Sequence, residues 1–265
     1  MSENKEVVDF YIKTALQFIE GYAHKDKVVG AIITGSRISF SSNKYSDLDV
    51  YLVFDKKFKH YERGNKFVNG LEIEYFANPV SRILEYYESD FISSKPITQN
   101  MFLTGIIVFE KDKIISDLKQ KALEYKERDL VFDEKTRITY RYFIYDALMD
   151  LKGFYTENKP EFHFYFPILI DKAIFYYLKL CNTPVNYKYY TKLITSEKIR
   201  KANYTRKIKN IKIRNLIPKI VLETDIQKQY ELLINLEKYI NDEFGLLDIN
   251  NLVLENYLRK SGIKL

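Results

Sequence analysis

With 265 residues the chain is long enough for one large domain or two modest ones, and 46% apolar with 15% aromatic residues excludes a disordered polymer. A single cysteine, Cys181, excludes an intramolecular disulfide and fits a reducing compartment. The net charge is +6, yet the first 125 residues are close to neutral: the excess is concentrated in residues 188–219, which hold eleven lysines and arginines against Glu197 alone.

The N-terminus, Met-Ser-Glu-Asn-Lys-Glu, is charged and leads into an amphipathic helix over about 4–23 (Val8, Tyr11, Ala15, Phe18, Ile19), not a signal peptide. Val28-Val-Gly-Ala-Ile-Ile-Thr34 reads as a buried strand ending at Gly35, with a short helix starting at Ser36. A glycine at that corner lets the backbone approach a phosphate closely, and the following N–H groups can point at it. Eleven residues on from the Gly35-Ser36 pair, Asp47-Leu-Asp49 opens the apolar run Val50-Tyr-Leu-Val-Phe54, a second strand over 48–54. Residues two apart on a strand share a face, so Asp47 and Asp49 project together while Leu48 turns into the core. Two adjacent carboxylates repel unless a cation joins them, and hard oxygen donors suit Mg²⁺ bridged to a nucleotide's phosphates.

A third strand over 70–77 alternates Leu71, Ile73 and Tyr75 on one face with Glu72, Glu74 and Phe76 on the other. Parity does not choose between Glu72 and Glu74; Glu74 is preferred as nearer the middle of the run. A helix over 79–89, a strand over 105–109 and a helix over 112–127 complete this half. From about 132 onward only helical patterns occur, at 132–155, 162–181, 187–202 and 224–243, with a shorter one near 248–260. Pro218 is expected to mark the break before the 224–243 helix. The expected fold class is therefore α+β: a mixed sheet flanked by helices over 1–130, then an all-helical domain over 131–265.

Gly-Ser-Arg, a polar loop and Ser-Asp-Leu-Asp together resemble the signature of the DNA polymerase β-type nucleotidyltransferases, and within them the small bacterial enzymes that adenylylate aminoglycoside or lincosamide antibiotics. The resemblance covers about residues 26–80; Gly105 to Leu118 is similar to the strand, turn and helix that often follow. It implies transfer of a nucleoside monophosphate, AMP from ATP, onto a hydroxyl of a small molecule bound by the helical domain. It implies that Asp47, Asp49 and Glu74 hold Mg²⁺, with Glu74 completing the metal shell or acting as base. Gly35 and Ser36 would hold the phosphates, and Arg37 would neutralise the departing pyrophosphate or serve as a structural ion-pair partner. Rival readings are an antitoxin-like module acting on a partner protein and a transferase acting on RNA.

The basic stretch Lys188–Lys219, with Tyr187, Tyr189, Tyr190 and Tyr204, reads as a surface for triphosphate or RNA, or as a solvated lysine-rich face; for nucleic acid the solvated face is preferred. In the 132–155 helix, Tyr142, Asp146 and Asp150 recur every four residues. That acidic face either meets a cationic acceptor or is surface charge paired with Arg141, the latter preferred. His24, His60 and His163 are spread without metal-ligand spacing, and His163, among Phe162, Phe164, Tyr165 and Phe166, reads as a core or interface histidine. Cys181 closes an apolar helix and reads as buried. Phe162–Leu180 carries His163, Asp171, Lys172 and Lys179, too many charges for a bilayer span. No P-loop, Gly-x-Gly-x-x-Gly or zinc spacing occurs. The expectation is a cytoplasmic protein without membrane contact, its oligomeric state open and a homodimer included.

Overall fold

The computed structural model describes residues 2–39, 42–183, 196–202, 204–250 and 252; most of the helices expected at 187–202 and 248–260 lies outside the described residues. The chain divides into two compact units, Met1–Leu130 with Pro184–Arg206, and Val131–Thr183 with Lys207–Leu265.

The first unit is a five-stranded mixed sheet between helices, so the α+β class expected from the sequence is the one observed. Helix α1 (Ser2–Glu20) leads through a 3-10 turn into β1 (Val28–Thr34); β2 (Leu48–Phe54), β3 (Glu62–Val68) and β4 (Leu71–Pro79) follow. Then come α2 (Val80–Ser93), α3 (Ile97–Thr104), β5 (Ile106–Glu110) and α4 (Ile114–Glu127). The spatial order is β3-β4-β2-β1-β5, with β2 parallel to β4 and every other pair antiparallel.

Strand parity decides which helices cover which face. Leu48, Val50, Leu52 and Ile73 point to the α1 side and pack with Tyr11, Ala15, Phe18 and Tyr22. Tyr51 and Val53, one residue out of phase, pack on the other side with Ile83, Tyr87, Phe102, Leu118 and Ala122 of α2–α4. Asp49 and Glu74 belong by parity to this second face, at the end of the sheet where β2 begins.

Three elements of this unit differ from the sequence reading. Residues 36–39 form a turn, not a helix, closed by the Ser39 N–H donating to the Gly35 carbonyl at 3.1 Å. Strand β3 is an edge strand whose run Glu-Arg-Gly-Asn-Lys lacks apolar alternation; it pairs with β4 through the two-residue turn Asn69-Gly70, where φ is 52° and 76°. Helix α3, short and opened by Pro96, is the third.

Helix α4 carries a buried lysine. Lys126 is only 8% exposed. Burial, and then the Arg206 guanidinium, push its ammonium down to about 8 from 10.5, while burial raises the nearby Asp90 carboxyl to about 6. Arg206 itself donates to the carbonyls of Lys126, Glu127 and Arg128 at 2.9–3.1 Å and pairs with Asp129, closing the end of α4. Because the folded pKa of Lys126 lies below its unfolded value, the folded state binds that proton less tightly. Its contribution therefore becomes more favourable as pH rises from about 8 towards 10.5. Lys126→Met should remove this rise. Relative to the variant, the wild type gains roughly 1–2 kcal/mol between pH 8 and 9.5, read from urea midpoints. A constant difference across that window would show that Lys126 is not titrating as described.

The second unit is helical throughout its described residues: α5 (Glu134–Thr156), α6 (Glu161–Leu180), α8 (Ile211–Leu222) and α9 (Ile226–Phe244), with α7 (Glu197–Ala202) belonging to the first unit. Asp133, Asn210 and Asp225 cap α5, α8 and α9 by accepting N–H groups of the first turn. The core is built at helical spacing from Ile144, Leu148 and Leu151, from Phe166, Ile170 and Ile174, and from Leu233, Leu236 and Ile240. Pro218 lies inside α8 rather than at a break before the next helix, and Ile213, Ile217 and Ile220 of α8 are buried. Asp146 pairs with Lys172 at 3.2 Å, not with Arg141, which donates instead to the Gly245 carbonyl at 2.7 Å. His163 is exposed rather than part of the core. Cys181 is half-buried, and burial pushes its thiol up to about 12, the range of an inert cysteine. Among the described residues no helix is long and apolar enough to cross a membrane.

Candidate functional site

Asp49 is the hub of the sequence-predicted residues. In the β1/β2 ladder it lies opposite Thr34, the residue before Gly35; in the β2/β4 ladder it lies opposite Glu74. Asp47 precedes β2 by one residue. Each of Asp47, Asp49 and Glu74 places a carboxylate oxygen so that all three lie within 4.8 Å of one another, and all three residues are half-buried. Glu72 is one step out along the same face and accepts a bond from Asn65 at 2.8 Å, so the register brings Glu74, not Glu72, to the aspartates.

Gly35 has φ +81°, and a Cβ built on it would stand 1.8 Å from Asp49 Oδ2 and 2.7 Å from its Cγ. The carboxylate thus occupies the volume any side chain at position 35 would need. Thr34, buried just before it, donates its hydroxyl to the Met101 carbonyl at 3.0 Å and ties the end of β1 to α3. Ser36 is half-buried in the turn that follows, its carbonyl accepting from the Ser39 hydroxyl at 3.2 Å.

The loop entering Asp47 is fixed from two sides. An Asx-type turn closes it locally: the Tyr45 N–H donates to Asn43 Oδ1 at 2.8 Å, and the Asn43 N–H to Ser46 Oγ at 3.0 Å. Arg37 reaches across it, donating from Nε to the Ser46 carbonyl at 3.0 Å, with a second bond from Nη2, and from Nη1 to the Tyr11 hydroxyl at 3.4 Å. Arg37 therefore holds together the Gly35 turn, the Asp47 loop and α1.

Arg63, on the strand the sequence reading missed, faces Glu74. Its Nε donates to Oε1 at 2.8 Å, Nη2 donates to the same oxygen, and the guanidinium lies 4.8 Å from the Phe76 ring centroid. Asn69-Gly70 is the signal that pointed to it, because that dipeptide announces a hairpin and hence a strand before β4.

An all-carboxylate donor set at this spacing fits a hard divalent cation. Octahedral Mg²⁺ places neighbouring oxygens ~3 Å apart, and the three carboxylate oxygens lie within 4.8 Å of one another. The chain matches no family model and no curated protein. Among solved structures it is similar to a nucleotidyltransferase-like protein from Exiguobacterium sibiricum 255-15, with 12% identity, 88% of this chain and 75% of that chain covered, and a TM-score of 0.44.

Proposed function

We propose that this protein is a Mg²⁺-dependent nucleotidyltransferase that moves a nucleoside monophosphate, AMP from ATP, onto a hydroxyl of a small molecule. The observation that carries the reading is the convergence of Asp47, Asp49 and Glu74 beside a glycine whose missing side chain makes room for one of them. In the reaction the acceptor oxygen bonds to the α-phosphorus, the bond from that phosphorus to the bridging oxygen breaks, and pyrophosphate leaves. When bound, the cation supplies charge stabilisation to the triphosphate and lowers the barrier to in-line displacement.

The residues have separable tasks. Asp47, one residue before β2, and Asp49, the second residue of that strand, would hold the cation. Gly35 and Ser36 present backbone N–H groups, with the Ser36 hydroxyl, to the non-transferred phosphates. Glu74 completes the cation's shell or takes the acceptor's proton on a carboxylate oxygen. Arg63 keeps Glu74 in place until substrate arrives and then offers a cation to the phosphates or the acceptor. Arg37 acts on the position of Asp47 through the Ser46 carbonyl. Hydroxyl-bearing antibiotics of the aminoglycoside and lincosamide classes are the first acceptors to try, because an acidic corner suits a cationic or neutral acceptor better than an anionic one.

The test is calorimetric titration with non-hydrolysable analogues of the four nucleoside triphosphates, with and without Mg²⁺, followed by pyrophosphate release with a panel of acceptors. Mg²⁺-dependent binding of the ATP analogue, and label transferred to one acceptor, are expected. Absence of Mg²⁺-dependent binding for all four analogues overturns the reading.

A further inference from the structure

His24 and His60, which sequence spacing left unconnected as metal ligands, meet in space, and Glu62 joins them. His24 lies between α1 and β1, His60 two residues before β3, and Glu62 is the first residue of β3. One ring nitrogen of each histidine and one oxygen of Glu62 lie within 4.8 Å of one another. We propose that these three side chains form a second metal site, selective for zinc over magnesium and separate from the carboxylate site.

The donor set chooses the metal. Two imidazoles and one carboxylate suit zinc and its transition-metal neighbours, whereas Mg²⁺ prefers oxygen donors throughout. Three protein ligands leave a fourth tetrahedral position for water. The His60–Glu62 distance is close to what is needed. His60 Nε2 lies 2.8 Å from Glu62 Oε2, and two ligands of one tetrahedral zinc sit ~3.3 Å apart, so zinc replaces the shared proton with about half an ångström of opening.

The supporting shell is already built. The Tyr22 hydroxyl donates to Glu62 Oε1 at 2.5 Å, which leaves Oε2 directed at His60. An outer partner of this kind fixes the ligand's orientation in many metal sites. Phe58 flanks both imidazoles, with centroids 5.3 Å from His24 and 5.7 Å from His60, while the His60 side chain is 43% exposed and gives an ion its way in.

The site is distinct from the first. Glu62 lies opposite Ala77, whose side chain joins the α1-side core, whereas Glu74 has the opposite parity. Along β3 the positions opposite Ala77 and Glu74 are three residues apart, ~10 Å. Zinc here would join the α1–β1 connection to the start of edge strand β3, the strand that carries Arg63. Its role is to anchor that strand.

The experiment is done in an Asp47→Asn, Asp49→Asn background, so that the first site cannot supply the metal and failure of the nucleotidyl-transfer reading leaves this result untouched. The protein is dialysed against zinc or cobalt and its bound metal measured by elemental analysis, with cobalt ligand-field absorption as the geometric readout. One metal per chain, tetrahedral cobalt bands and a melting temperature several degrees higher at zinc concentrations about a hundredfold above Kd are expected. His60→Ala and His24→Ala, each checked for folding by circular dichroism, should lose the metal and the shift, and His163→Ala should keep both. The proposal fails if the background protein binds no zinc, or if binding survives both His24→Ala and His60→Ala.

Discussion

Asp49→Asn should leave a folded protein that binds nucleotide without responding to Mg²⁺ and transfers it on the order of a thousandfold more slowly, because a bound metal supplies several kcal/mol of transition-state stabilisation and each 1.36 kcal/mol is tenfold in rate. Asparagine keeps the shape of the side chain at the point where β2 meets both Thr34 and Glu74, so the strand ladders survive. The variant should lose the rise in melting temperature that Mg²⁺ and nucleotide produce together in the wild type. A merely structural aspartate leaves that Mg²⁺ response intact. Thermal melts of both proteins with and without Mg²⁺ and a non-hydrolysable ATP analogue separate the two.

How far the sequence reaches depends on whether a residue's role is written in its own neighbourhood. β1, β2 and β4 were legible because each is an apolar run or a clean alternation, and parity alone put Asp49 on the face away from Leu48 and Glu74 on the face away from Ile73. Adjacency was harder. That Asp49 faces Glu74 follows from the parallel β2/β4 register, which no local pattern specifies. β3 escaped because an edge strand takes its order from its neighbour's hydrogen bonds, and Glu62-Arg-Gly-Asn-Lys66 has no apolar period to betray it. With it went Arg63 and Glu62. His24 and His60 are 36 positions apart, and only the return of β2 alongside β1 brings the ends that precede and follow these strands together. Pro218 misled in the opposite sense: a residue that weakens an isolated helix was outweighed by the burial of Ile213, Ile217 and Ile220.

Gly35→Ala is expected to have the second largest effect, and Gly70→Ala shows why. Both glycines have a positive φ, +81° and +76°, so both variants carry the same backbone strain, about 1–2 kcal/mol for an L-residue in that region. They differ in what the new methyl group meets. At position 70 nothing lies within 4 Å, whereas at position 35 the Asp49 carboxylate oxygen is 1.8 Å away. The alanine at 35 must push that carboxylate aside or turn the Gly35–Ser39 corner out of shape. Either movement separates Asp49 from Asp47 and Glu74 by about an ångström, a displacement that costs on the order of a hundredfold in catalysis. Gly35→Ala should accordingly lose at least as much stability as Gly70→Ala and about a hundredfold more transfer activity, with weakened Mg²⁺-dependent nucleotide binding that Gly70→Ala retains. Equal activity in the two variants would mean that the Asp49 carboxylate can leave its present place without consequence, and the cation would then have to be held elsewhere.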